Sequence, residues 1–242
     1  MSFLAHLDEL RSRLLKCLLA VAIGFMVCWA FSGGILHWLT RPLEDAYSTL
    51  SVIRPAEAFV NRMKAAFLGG IFVSSPVLFY QMWAFVSPGL LGRERRHTIP
   101  FLLFSVLFFV GGAGFSYHVA MPMAANFLAA QGVGYEQNVT LDSAFAFSSK
   151  MLLALGVLFE LPILIYFLSR LQIVTPRFLI HQFKYAVLGI FVIAAIVTPT
   201  PDVVTQTVFA LPMILLYCLG IGVSWVVERG IRAREGRRDD SR

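Results

Sequence analysis

Charge is scarce in this chain. Asp, Glu, Lys and Arg make up 14% of its 242 residues while 58% are hydrophobic, and the mean hydropathy is +0.74, far from the composition of an average water-soluble domain. Cysteine is nearly absent: Cys17, Cys28 and Cys218 each lie within an apolar run, so they read as small packing residues and leave no disulfide or metal framework. The phosphate loop GxxxxGK[ST], the zinc motif HExxH and the nucleophile turn GxSxG are all missing, which disfavours an ATP-driven or hydrolytic role. No nucleophile–base pair or metal-ligand pattern is visible, so the chain is not expected to be an enzyme or to carry a cofactor. There is no internal repeat, and the net charge of +6 follows the placement of Lys and Arg around a membrane rather than a nucleic-acid partner.

What the sequence does have is long apolar runs. Five intervals lack Asp, Glu, Lys and Arg: Cys17 to Thr40, Ala65 to Gly92, His97 to Tyr135, Tyr185 to Pro201 and Val203 to Val227. A sixth, Met151 to Ser169, holds one such residue, Glu160. Crossing ~30 Å of hydrocarbon takes ~20 apolar residues, and continuously apolar runs, unlike alternating ones, fit helices rather than a barrel. The reading is an all-α polytopic membrane protein with six transmembrane helices in one domain over residues 1–228, followed by a disordered charged tail over 229–242. The first span carries no cleavage signal and is expected to be retained.

The fifth helix is expected to be short, because Tyr185 to Val197 is 13 residues, or ~20 Å. The sixth opens on Asp202, Thr205, Gln206 and Thr207 before its apolar stretch from Val208, so it is expected to be short as well. Pro76, Pro88, Pro100, Pro122, Pro162 and Pro212, within or beside spans, predict bent helices.

Lys and Arg set the orientation. Arg11, Arg13 and Lys16 precede the first span; Arg93, Arg95 and Arg96 fill the second gap; Arg170, Arg177 and Lys184 fill the fourth; and six arginines follow from Arg229. The third and fifth gaps have none. Positive charge marks the cytoplasmic side, which puts both termini in the cytoplasm of a plasma or inner membrane. Only the first gap, with Arg41, Arg54, Arg62 and Lys64, departs from this alternation.

Glu160 stands out by its depth. A carboxylate inside a span is costly enough that it usually faces a protein interior or a wet cavity, and Pro162, two residues on, withholds the hydrogen bond owed to the Leu158 carbonyl. A kink beside the acid is expected. Glu9 and Arg11 flank the first span, Glu94 sits among arginines in a short gap, and Asp202 with Gln206 lies at an outer mouth.

Four segments carry a family resemblance. They are His6-Leu7-Asp8-Glu9-Leu10-Arg11-Ser12-Arg13-Leu14; Gln81 to Leu90 leading to Glu94-Arg95-Arg96; Phe159-Glu160 with Pro162; and Thr198-Pro199-Thr200-Pro201-Asp202 with Gln206. In this order, over nearly the whole chain, they resemble the TatC family, the multispanning receptor of the twin-arginine protein translocase. The resemblance implies a receptor and core subunit that binds the twin-arginine signal peptides of folded cargo. It also implies assembly with the single-span partners TatB and TatA, self-association in the complex, and export driven by the proton-motive force.

By position, Glu9 and Glu94 resemble the acids that bind the two arginines, and Arg11, Pro42, Phe85 and Arg96 match other positions of that signal-peptide site. Glu160 resembles the membrane-embedded acid, and Asp202 with Gln206 the patch where partner helices dock. Cys218 departs from the pattern, since many members carry a glutamate there. A carboxylate pair also suits two adjacent arginines on physical grounds. Successive side chains of an extended peptide point to opposite faces, and a planar guanidinium pairs with carboxylate through two parallel bonds where an ammonium does not. A proton-coupled small-solute transporter with Glu160 and Asp202 as relay acids is the alternative, and the missing repeat counts against it.

Overall fold

The computed structural model describes residues 3–86, 98–135, 137–198 and 202–239. They form ten α-helices and one π-helical turn, and among the described residues the only sheet-like pairing is an isolated bridge between Ser51 and Thr140. Five helical segments are long and apolar enough to cross a membrane: Leu7–Trp29, Glu57–Phe85, Phe101–Gln131, Leu141–Arg170 and Val203–Ile231. The chain divides into two compact units, Met1–Leu153 and Ala154–Arg242.

In the first unit, α1 (Phe3–Trp29) stops where the sequence predicts a continuing span. Ala30 and Phe31 form a turn, the Phe31 N–H donates to the Cys28 carbonyl at 3.0 Å, and α2 (Ser32–Tyr47) begins. The run Cys17 to Thr40 is therefore two helices. Ser32, Gly33 and Gly34 propagate a helix poorly, and α2 is amphipathic, burying Ser32, Leu36, Leu39, Thr40, Pro42 and Leu43 along one face at helical spacing. Leu43 packs with Ala125 and Ala144.

α3 (Glu57–Val86) crosses α1 at bare backbone. A Cβ on Gly24 would lie 2.7 Å from the Gly70 carbonyl oxygen, and one on Gly70 would lie 2.7 Å from the Phe25 nitrogen. Such small-residue crossings gain close packing where lipid supplies no hydrophobic drive between helices.

α4 (Thr98–Phe115), the π turn Ser116–Ala120 and α5 (Met121–Gln131) follow as one helical run. Pro122, at the head of α5, lacks an N–H, and the ladder widens just before it, with the Met121 N–H donating to the Ser116 carbonyl. Tyr117 stacks on Trp38 with ring centroids 4.0 Å apart and donates its hydroxyl to the Trp38 carbonyl at 2.9 Å. The buried Trp83 indole ties α3 to α4 through the Ser105 hydroxyl at 2.8 Å.

One end of this unit is locked by polar bonds. The Ser51 N–H donates to the Val139 carbonyl and the Leu141 N–H to the Ser51 carbonyl, each at 2.9 Å. Buried Glu57 accepts from the N–H groups of Ile53, Arg54 and Asp142 at 3.1, 3.2 and 2.9 Å. Lys64 pairs with Asp142 at 2.8 Å. The Lys- and Arg-bearing first gap thus shares an end with the third gap, which has neither, so the alternation of ends within this unit is regular.

In the second unit, α6 (Leu141–Leu158), which begins in the first, gives way at Phe159 and Glu160 to α7 (Leu161–Arg170). The helix is interrupted just before Pro162, which has no N–H to donate, whereas α3 and α10 run unbroken past Pro76 and Pro212. Pro88 lies outside the described residues. α8 (Pro176–His181) and α9 (Phe183–Val197) follow, and α9 at 15 residues is short, as expected.

The sixth apolar helix is not short. α10 (Val203–Asp239) has 37 residues. Its polar opening is helical because the Asp202 carboxylate accepts from the Thr205 N–H at 2.7 Å, a side-chain cap on the first turn. It continues past residue 229, where the sequence reading begins a disordered tail, through a stretch rich in the strong helix formers Arg, Ala and Glu. α7 meets α10 through a buried hydroxyl pair, Ser169 to Ser224 at 2.7 Å, and the Ile165 side chain lies over Gly220.

Candidate functional site

At the end of the first unit remote from the Glu57 lock, α1 presents Glu9 one turn before Arg13. Spacing of four puts both on one helix face. The Arg13 guanidinium donates to one Glu9 carboxylate oxygen from Nε at 3.1 Å and from Nη2 at 2.5 Å, and its Nη1 donates to the Gln81 amide oxygen on α3 at 3.3 Å. The two charged side chains keep only 21% and 25% exposure. Glu9 is thus a half-shielded carboxylate already gripping a guanidinium, held beside the last turns of α3. Phe85, one turn after Gln81, is half-buried at the same end. Arg11, two residues from Glu9 and so ~200° around the helix, is exposed.

Pro42 is not brought to this cluster. It is buried on α2, next to Leu43, whose cluster with Ala125 and Ala144 packs against Leu50 and Val139 beside the Ser51–Thr140 bridge. Between Glu57 at that bridge and Gln81 beside Glu9 run 24 helical steps of α3, ~36 Å. Glu94 and Arg96 lie outside the described residues.

The sequence reading missed Arg13 and Gln81 as site residues. The signal for Arg13 was present, since a Glu followed four residues later by Arg is a stabilising helix pair. Gln81 opens one of the segments that carry the resemblance, but nothing local gives it a partner, and the crossing of α1 and α3 places it beside Arg13.

In the second unit, Glu160 is the residue preceding α7, and its own carbonyl accepts from Ile163 and Leu164 at 3.0 and 2.9 Å. Both carboxylate oxygens are buried, and an acid at a helix N-terminus is favoured by the helix dipole. Asp202 caps α10, so it precedes the helix rather than sharing its face with Gln206. Gln206 donates from its side-chain amide to the Phe191 carbonyl at 2.7 Å and ties α10 to α9. Around these two polar residues, Ile196, Val203, Val204 and Leu211 are more than half exposed. Among the described residues no group of three or more His, Cys, Asp and Glu gathers as a metal site.

The sequence matches the family described as TatC, Sec-independent protein translocase protein, over residues 5–212. The Sec-independent protein translocase protein TatC of Koribacter versatilis is 41% identical over 233 residues, covering 94% of this chain and 86% of that protein. TatCy of Bacillus subtilis is 36% identical, covering 93% and 89%. The crystal structure of the twin arginine translocase receptor TatC superposes with a TM-score of 0.79 at 34% identity, covering 92% of this chain and 99% of that one.

Proposed function

The chain belongs to the TatC family, a family of protein-translocase components and not of enzymes, and we propose from that premise that it is the receptor that binds twin-arginine signal peptides of folded cargo. The observation that carries the reading is the Glu9 carboxylate, oriented on a guanidinium at the end of α1. A leader arginine presents the same planar group that Arg13 does, and a lysine does not. Glu94, on the segment that follows α3, supplies the second carboxylate, with Arg11, Phe85 and Arg96 bordering the site and Pro42 acting from α2. Glu160 faces the deeper, apolar part of the leader or a polar group of a partner helix. The exposed apolar residues around Asp202 and Gln206 take the single-span partners TatB and TatA in the plasma membrane, with both termini cytoplasmic and transport driven by the proton-motive force.

The test is binding of a leader peptide to the purified chain. An Arg-Arg peptide crosslinks, its Lys-Lys version does not, and Glu9→Ala or Glu94→Ala abolishes the crosslink while the protein stays folded and inserted. Crosslinking at the unsubstituted level in both variants refutes the site. For Glu160, normal cargo transport by Glu160→Leu removes it from the mechanism.

A further inference from the structure

Where α1 gives way to α2, the first unit carries an open cleft of about 900 Å³. Its walls are Trp29, Phe31, Trp38 and Phe59, which are 40%, 68%, 47% and 59% exposed, and its floor is the bare backbone of Gly33 and Gly34. Arg62 stands at its edge. The guanidinium lies against the start of α2, where a Cβ on Gly33 would come within 3.8 Å of the Arg62 Cζ. Among the described residues no hydrogen bond or ion pair engages it, whereas Lys64, half a turn on, is neutralised by Asp142. The first turn of α2 carries no acidic residue and no side-chain cap, so its dipole adds potential of the same sign. The place is therefore positive, aromatic-walled and open.

We infer that this cleft is a binding site for one anionic phospholipid, whose phosphate pairs with Arg62 and whose glycerol and upper acyl segments lie between the aromatic rings. Three features select that occupant. Tryptophan marks the level of the headgroups. A guanidinium pairs bidentately with phosphate. And Arg62 is an uncompensated cation, which a zwitterionic headgroup neutralises less fully than one with net negative charge. A lipid there also accounts for an arginine in the first gap: Lys64 is paired within the protein, and Arg62 is paired by the leaflet facing away from Glu9. The inference concerns the opposite end of the unit from the proposed leader site and does not depend on it.

The full chain, purified in detergent and stripped of lipid, is titrated with phosphatidylglycerol or phosphatidylcholine and read by native mass spectrometry. Phosphatidylglycerol is expected to occupy one site at about fivefold lower concentration than phosphatidylcholine, because both lipids bring a phosphate to Arg62 and only phosphatidylglycerol brings net negative charge. Arg62→Gln removes that preference. Gly34→Leu keeps Arg62 but fills the floor of the cleft, where a Cβ meets nothing within 4 Å, and it lowers phosphatidylglycerol occupancy without disturbing the fold. Equal occupancy in the parent and in both variants overturns the proposal. So does competition by inorganic phosphate at concentrations matching the lipid, which reveals a site for soluble anions. So too does a single-span partner that crosslinks to Phe59 in place of lipid.

Discussion

If Glu9 takes a leader arginine as proposed, that arginine competes with Arg13, which already holds one oxygen of the carboxylate. An i,i+4 ion pair of this exposure is worth only ~0.3–0.5 kcal/mol, so Arg13 yields to an incoming peptide yet lowers its apparent affinity. Arg13→Ala is therefore expected to tighten binding of an Arg-Arg peptide about twofold, measured by fluorescence anisotropy; weaker binding instead makes Arg13 a residue that holds Glu9 in place. Asp202 poses the opposite question, because its cap on α10 is a sufficient structural reason for an acid there. Asn caps as well as Asp, so Asp202→Asn preserves folding while deleting the charge. Loss of partner copurification with an unchanged melting temperature assigns the charge to docking, and unchanged copurification leaves Asp202 a capping residue only. Glu160 stood out in the sequence as the one charged residue of its apolar run and Glu9, beside Asp8, only through the family resemblance, whereas the cap was hidden because capping depends on where a helix starts, which polarity alone misplaced.

The crossing of α1 and α3 depends on two glycines whose Cβ atoms would collide with backbone, which cannot swing aside as a side chain does. Gly24→Ala is expected to cost roughly 1–3 kcal/mol by forcing the helices apart, seen as a lower unfolding temperature in detergent. Gly111→Ala, where a Cβ meets nothing within 4 Å, is the control and should match or exceed the parent, since alanine favours helix over glycine. Because Arg13 reaches Gln81 across this crossing, Gly24→Ala should also loosen the Glu9 end. The crossing was not legible in advance: glycine in an apolar run signals close approach only when the facing helix is known. The same limit hid the end of α1, since Ala30 and Phe31 are as apolar as the span before them and only Ser32-Gly33-Gly34 hinted at a restart. It also hid the π turn, a local response to Pro122 within a run that hydropathy reads as uniform.

At the scale of the whole chain, apolar runs located all five long spans and the short helix α9, because the cost of an unsatisfied backbone in lipid leaves few alternatives to a helix. The Lys and Arg count went further and proposed which side each gap faces, with the first gap as its exception. The bonds that join Ser51 to Val139 and Leu141 bring that exceptional gap to the same end as the third, while the Arg13–Gln81 contact belongs to the other. This geometry makes the orientation testable with three positions. In a variant lacking Cys17, Cys28 and Cys218, single cysteines replace Ile53 and Val133, 72% and 78% exposed at the locked end, or Ser12 near Glu9. A membrane-impermeant maleimide added to intact cells is expected to label Ile53→Cys and Val133→Cys and to reach Ser12→Cys only after permeabilisation. Labelling of Ser12→Cys alone inverts the orientation and puts Glu9 on the wrong side to meet a cytoplasmic leader. Labelling of Ile53→Cys without Val133→Cys separates the two gaps, and with them the bridge on which the regular alternation of this unit depends.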